Sequence, residues 1–184
     1  LSENARFVRI LEDYNISFIG PKSEHIEIMG DKIKARDTIS KTGIPLVPGS
    51  KGKITNTSVL KKIAQTIGYP LIIKASSGGG GKGMKVVKED ATLLENFELA
   101  KSEAKANFGN DEVYMEKFLE KPKHIEFQIF ADKYGNVIHL GERDCSMQRR
   151  HQKIIEEAPA KDINLTEKRK VLTAIVDAMK KIGY

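Results

Sequence analysis

Four consecutive glycines, Gly78 to Gly81, stand between two short apolar runs, Leu71-Ile72-Ile73 and Met84 with Val86 and Val87. The flanking runs favour strands, and the glycines leave the backbone too free for any regular element, so the stretch reads as strand, flap, strand. Amides without side chains can approach an anion closely and point several N–H groups at it, and the nearby lysines add charge. Gly78, Gly80 and Gly83 match G-x-G-x-x-G, but a dinucleotide fingerprint should open a helix, and here a strand follows. A P-loop also fails: Gly83 follows Lys82 where Ser or Thr should hold magnesium, and Ser76 occupies the place of the first glycine. By itself the stretch is equally compatible with a phosphate-binding flap and with a flexible hairpin tip.

The remaining chain supplies a soluble scaffold. Its 184 residues are 40% hydrophobic and 30% charged, enough for one compact domain or two small ones, and no apolar run reaches the length of a membrane span. A lone cysteine, Cys145, cannot form an internal disulfide, which fits a reducing compartment and makes the cytoplasm the expected location. The net charge of +6 suits either nucleic acid or a polyanionic small molecule such as ATP. The lysines are scattered over amphipathic helices with no aromatic-rich basic platform, so a solvated face explains most of them.

Ser2 is expected to cap a first helix through Tyr14, followed by a strand over Ile16 to Ile19. Ser23 opens a second helix and Asp31 caps a third, placing Lys32 in its first turn. The helix dipole disfavours a cation there, so an anionic ligand would give that lysine a role. Leu46 to Ile54 reads as a loop, and a helix runs from about Ser58 to the stop at Gly68. Asp90 is expected to cap a helix carrying Leu93, Phe97, Ala100 and Ala104. Val113 to Leu119 is strand-like. In His124 to Phe130, alternation puts Ile125, Phe127 and Ile129 on a core face and Glu126 and Gln128 on a face expected to meet solvent. Asp132 to Asn136 forms a turn, and Val137 to Gly141 returns as its hairpin partner.

The string Glu142 to Lys153, ERDCSMQRRHQK, concentrates donors and cations suited to an anion pocket; read as one strand, it would put Arg149, His151 and Lys153 on a shared face. His124, His139, Cys145 and His151 lack a compact zinc-ligand spacing, and Cys145 lacks an activating setting for a nucleophile. Asn164 and Glu167 resemble a capping box ahead of a helix with Val171, Leu172, Ile175 and Met179 at helical spacing.

MGDKIKAR at 29–36, GIPLVPGS at 43–50, GYPLIIKASSGGGGKGMKVV at 68–87, VYMEKFLE at 113–120 and ERDCSMQRRHQKIIEEAPA at 142–160 together make the chain resemble biotin carboxylase, end to end. The resemblance implies an incomplete α+β ATP-grasp fold: residues 1–45 closing an N-terminal domain, 46–118 forming the lid subdomain, and 119–184 beginning a C-terminal lobe, with nucleotide between lobes. It implies that Lys32 and Lys74 contact ATP phosphates, that Gly80 and Gly81 supply flap amides, and that Glu116, Lys117, Phe118 and Leu119 line adenine and ribose, helped by His124 and Gln148. His151 would sit beside the nucleotide and Lys153 would hold bicarbonate. The implied reaction makes carboxyphosphate from bicarbonate and MgATP, then carboxylates biotin on its carrier protein, in partnership with carboxyltransferase subunits and, in full-length relatives, as a homodimer. The setting would be acetyl-CoA carboxylase in fatty acid biosynthesis, or the same region of a pyruvate or other acyl-CoA carboxylase. Magnesium carboxylates would lie beyond Tyr184, and the chain alone would be inactive. A basic nucleic-acid-binding module is the alternative from another class, predicting steeply salt-dependent binding to any polyanion.

Overall fold

The computed structural model describes residues 1–77 and 82–184, so the expected flap amides of Gly80 and Gly81 lie outside the described residues. The chain separates into two compact units. One comprises Asp31–Asp37 and Leu46–Pro122, here the flap unit, and the other Leu1–Gly30, Thr38–Pro45 and Lys123–Tyr184, here the hairpin unit.

In the flap unit, strands β1 (Leu71–Ala75), β2 (Met84–Val87) and β3 (Val113–Lys117) form an antiparallel sheet in the order β2-β1-β3. Alternation divides its faces. Leu71, Ile73, Ala75, Val113 and Met115 enter a core with Leu60 and Ala64 of α4 (Thr57–Ile67) and Leu93, Phe97, Ala100 and Ala104 of α5 (Leu93–Phe108). The 4-3-4 spacing in α5 puts those four residues on one stripe. Gly109 takes a left-handed conformation (φ 73°) and donates its N–H to Lys105 O at 2.9 Å, closing the helix. The entry to α5 differs from expectation: Asp90 begins a 3-10 turn through Thr92, and the α-helix starts only at Leu93. Helix α4 is capped by Asn56, whose side chain accepts from Val59 N at 2.9 Å.

In the hairpin unit, β4 (Ile125–Ala131), β5 (Val137–Arg149) and β6 (Gln152–Glu157) form an antiparallel sheet in that order, with α6 (Leu165–Lys181) packed on β5. Asp132 Oδ1 accepts from Tyr134 N and Asn136 N, both at 2.9 Å, and fixes the β4–β5 turn. The polar string is not one strand. Arg150 and His151 both have positive φ (52° and 64°), and Arg149 pairs with Gln152, so a two-residue turn reverses the chain. Lys153 therefore stands opposite Gln148, and the expected shared face of Arg149, His151 and Lys153 does not form. Asn164 caps α6, accepting from Thr166 N at 2.9 Å and Glu167 N at 3.1 Å.

Helix α1 (Ala5–Asp13) is capped by Asn4 rather than Ser2, and α2 spans Ser23–Gly30. Ile16 to Ile19 is irregular instead of a strand. Ile16 N is taken by Leu11 O at 2.8 Å, and Ile19 is 96% exposed, so the run is spent on leaving the helix. Among the described residues no helix is long and apolar enough to cross a membrane.

Candidate functional site

Ile72 and Lys74 of β1, with Tyr114 and Glu116 of β3, share the sheet face opposite the core, because Lys74 pairs with Tyr114 and Ile72 with Glu116. Lys74 and Glu116 are thus diagonal neighbours, within reach of long side chains. The Lys74 ammonium donates to Glu116 Oε1, and Arg36 Nη1 meets Glu116 Oε2 at 3.1 Å. Arg36 comes from α3 (Lys32–Ser40), also donates Nη2 to Val47 O at 2.7 Å, and lies 6.0 Å from the Tyr114 ring centroid. The carboxylate is well enclosed, its side chain only 12% exposed. Burial pushes the Tyr114 hydroxyl's pKa up, and Glu116 adds to the shift.

Lys32 opens α3 as expected. Asp31 Oδ1 caps the helix, accepting from Ile33 N at 2.9 Å and Lys34 N at 3.0 Å, while Lys32 N donates to Ser76 O at 3.1 Å. That bond docks the helix start onto the end of β1, next to the glycine-rich segment. Partial burial lowers the Lys32 pKa, and the Lys74 charge lowers it further against the opposing pull of Asp31 and Glu116. Lys74 and Arg36 thus take the two oxygens of Glu116, and Lys32 is partly desolvated close enough for the Lys74 charge to act on it, a cationic setting that suits an anion. The buried Ser76 hydroxyl has no hydrogen-bond partner among the described residues.

The rest of the β3 segment is held by its own unit. Lys117 Nζ donates to Tyr69 O at 2.7 Å and Gly68 O at 3.3 Å, at the end of α4, and Phe118 N donates to Pro70 O at 3.1 Å. Leu119 is half-exposed. Within this segment the Glu116 side chain joins Lys74 and Arg36, whereas the Lys117 ammonium turns to backbone carbonyls.

In the hairpin unit, His124 and Gln148 come together, with His124 Nδ1 2.6 Å from Gln148 Nε2, which also donates to Cys145 O at 2.9 Å. His151 lies at the exposed hairpin turn. Lys153 donates to Glu126 Oε2, and Arg143 links Glu126 Oε1 at 2.6 Å to Glu156 Oε2 at 3.2 Å. Glu126 and Arg143 are directly opposite in the β4–β5 register, so acid, base and acid follow one another across the three strands. The Lys153 hydrogen bond holds the Glu126 carboxyl below its ordinary range, and the same bond raises the Lys153 pKa. Glu126, expected to meet solvent, has a side chain only 22% exposed. Burial pushes the Cys145 thiol up, reinforced by Glu126 and Glu156.

Glu126, Cys145 and Glu156 bring possible ligand atoms within 4.8 Å of one another. The set does not fit magnesium, which favours oxygen ligands: the third donor is a buried thiol, and the carboxylates are engaged by Arg143 and Lys153.

Sequence reading missed Arg36, Tyr114, Arg143 and the role of Glu126. Arg36 carried a usable signal, one helical turn after Lys32 on the same face. The Glu126–Arg143 pair depends on strand register, which alternation alone does not supply.

Residues 31–184 match the family described as carbamoyl-phosphate synthase L chain, ATP binding domain. The whole chain is 53% identical to a segment of the biotin carboxylase of Allochromatium vinosum, covering 41% of it, and 53% identical to a segment of the pyruvate carboxylase of Bacillus subtilis, covering 16%. The chain thus spans well under half the length of these relatives. A biotin carboxylase–β-γ-ATP complex from Campylobacter jejuni superposes with a TM-score of 0.94 at 48% identity, over 100% of this chain and 41% of that one. The biotin carboxylase domain of Hydrogenobacter thermophilus 2-oxoglutarate carboxylase, solved as a dimer with MgADP, ADP and bicarbonate, gives 0.93 at 47% identity, over 99% and 40%. The mixed helix and sheet architecture is accordingly that of the ATP-grasp domain. The relatives it matches over its full length are thus biotin carboxylases and the pyruvate and 2-oxoglutarate carboxylases, and the chain itself belongs to the carbamoyl-phosphate synthase L chain ATP-binding domain family.

Proposed function

We propose that this chain contributes nucleotide- and bicarbonate-binding residues to an ATP-dependent ligase that carboxylates biotin through carboxyphosphate. The observation that carries the proposal is the convergence of Lys32 and Lys74 at the end of β1, where the Lys32 backbone N–H is bonded to Ser76 O and the Lys74 charge acts on the Lys32 ammonium. In this reading both lysines bind ATP phosphates, and the amides of Gly80 and Gly81 complete the cradle. Backbone groups of Glu116 to Leu119 receive adenine and ribose. His124 and Gln148, joined by their 2.6 Å contact, and His151 are assigned to the nucleotide as well. Lys153 holds bicarbonate, oriented by Glu126 until the anion competes for its ammonium.

Phosphoryl transfer depends on positioning and on cations that offset charge over the transferred oxygens, and these residues supply both. Magnesium would neutralise the phosphates when bound, through carboxylates expected outside this chain. Biotin would arrive on its carrier protein, with carboxyltransferase subunits taking the product onward. The half-reaction is shared by carboxylases acting on acetyl-CoA, pyruvate or other acyl-CoA substrates, so the proposal concerns that shared step. It places the protein in the cytoplasm and its full-length form in a homodimer.

MgATP binding measured by calorimetry at two salt concentrations, on the chain and on Lys74→Ala, tests the assignment. Saturable binding that the substitution weakens by roughly tenfold or more supports it, a charge-assisted phosphate contact being worth at least that much. Equal affinity for any polyanion, with a steep salt dependence, would instead indicate a basic nucleic-acid-binding surface.

A further inference from the structure

We infer that Arg36 is a positioning residue for the nucleotide, acting as a permanent counter-ion to Glu116 so that Lys74 can be released to phosphate. The inference rests on the assignment of Lys74 to an ATP phosphate. Glu116 presents two carboxylate oxygens, one taken by Lys74 and the other by Arg36 at 3.1 Å. An anion that attracts Lys74 must compete with Glu116 for its ammonium. If Lys74 were the only partner, its departure would strand an enclosed carboxylate, and an unpaired buried charge is costly. Arg36 removes that penalty, since Glu116 keeps a charged partner after Lys74 has moved.

Several features fit Arg36 for this task. Its guanidinium offers several donors in a rigid fork. One arm bonds Glu116 and another donates to Val47 O at 2.7 Å, so the guanidinium is held at two points, whereas Lys74 has the Glu116 contact to exchange for an anion. The Tyr114 ring supports it from 6.0 Å. Gly49 is shaped around the same pair: a Cβ there would come within 2.8 Å of Arg36 Nη2 and 3.1 Å of Glu116 Cβ. Because Arg36 lies one helical turn beyond Lys32, α3 carries both a cation for the anion and the cation that liberates a second one.

The alternative is purely structural, with Arg36 merely tying α3 to the loop at Val47. A double-mutant cycle separates the two. MgATP affinity is measured for the wild-type chain, Arg36→Met, Glu116→Gln and the double variant, with Lys74→Ala and Arg36→Lys as controls and a thermal melt confirming that each is folded. If Arg36 acts through the Glu116 charge, Arg36→Met weakens binding by about tenfold, and by less than about threefold once Glu116 is already Gln, a coupling expected of groups in one ion-pair network. Arg36→Lys keeps the charge and retains affinity within about fivefold of wild type. An Arg36→Met effect that is absent, or equally large in both backgrounds, overturns the inference while leaving the phosphate assignment intact. Wild type and Lys74→Ala binding alike would overturn that assignment and this inference with it.

Discussion

Lys74 and Glu116 lie diagonally across an antiparallel strand pair, and one carboxylate oxygen holds the lysine while the other faces Arg36. Lys74 is thereby kept on the face that also receives Lys32, and its charge is one cause of the lowered Lys32 pKa, after burial. A depressed lysine pKa means that the folded state binds its proton less readily than the unfolded state does. Lys32 therefore disfavours folding below its folded pKa, and this cost fades as pH rises through that value toward the ordinary lysine range.

A bound polyanion reverses the shift at Lys32, because it favours the ammonium form. MgATP binding at alkaline pH, near the lowered pKa, should therefore take up protons, and affinity should fall as pH rises through that pKa. Calorimetric titrations in buffers of different ionisation enthalpy would read the uptake directly. Lys32→Met should abolish it and weaken binding; an unchanged proton count in that variant would place the uptake elsewhere.

Gly49 forms an isolated bridge with Glu116, and a Cβ there would lie 2.7 Å from Met115 O, a backbone atom that cannot rotate away. Gly49→Ala should destabilise the protein by about 1–3 kcal/mol, the usual cost of overpacking, and should displace the Arg36 guanidinium. Urea denaturation gives the first quantity. The second appears as weakened MgATP binding, whereas Gly52→Ala, with no atom within 4 Å of its added Cβ but a positive φ of 90°, should affect stability alone.

Periodicity makes much of the scaffold legible: the α5 stripe of Leu93, Phe97, Ala100 and Ala104 and the strands on either side of the glycine run follow from spacing and flanking breakers. It misleads at Ile16 to Ile19, where three apolar residues around Ser17 form no strand. It also misleads at Arg150-His151, where two bulky residues adopt the left-handed conformations that a hairpin usually gives to Gly or Asn. The site is less legible than the scaffold. Lys32 and Lys74 stand in recognisable motifs, but the Arg36–Glu116 and Arg143–Glu126 pairs join residues 80 and 17 positions apart, which only tertiary packing and strand register bring together.

Glu142 is the most enclosed ion-pair member of the hairpin unit, its side chain 1% exposed, with Oε1 held by Lys168 of α6 at 2.6 Å. Lys168→Met would leave that carboxylate buried and unpaired, at a cost of about 3–5 kcal/mol. Replacing both partners, Glu142→Met with Lys168→Met, should recover most of the loss. Denaturation midpoints of the two variants provide the comparison, and a double variant no more stable than Lys168→Met would show that the pair is not what fastens α6 to β5.

Glu126 gives the opposite pH dependence to Lys32. Its folded pKa is depressed, first by the Lys153 hydrogen bond and then by the Lys153 and Arg143 charges, against the opposing effect of burial. The resulting stability is complete above the ordinary glutamate pKa and disappears as pH falls through the depressed folded value. Denaturation midpoints between about pH 6 and about pH 3 should therefore drop more steeply for wild type than for Glu126→Gln, which has no proton to gain. The same substitution frees Lys153 from its carboxylate, so its ammonium should lose the upward pKa shift that the Glu126 bond confers. A Lys153 side-chain titration by NMR that is unmoved in Glu126→Gln would mean that the two groups do not share the contact in solution.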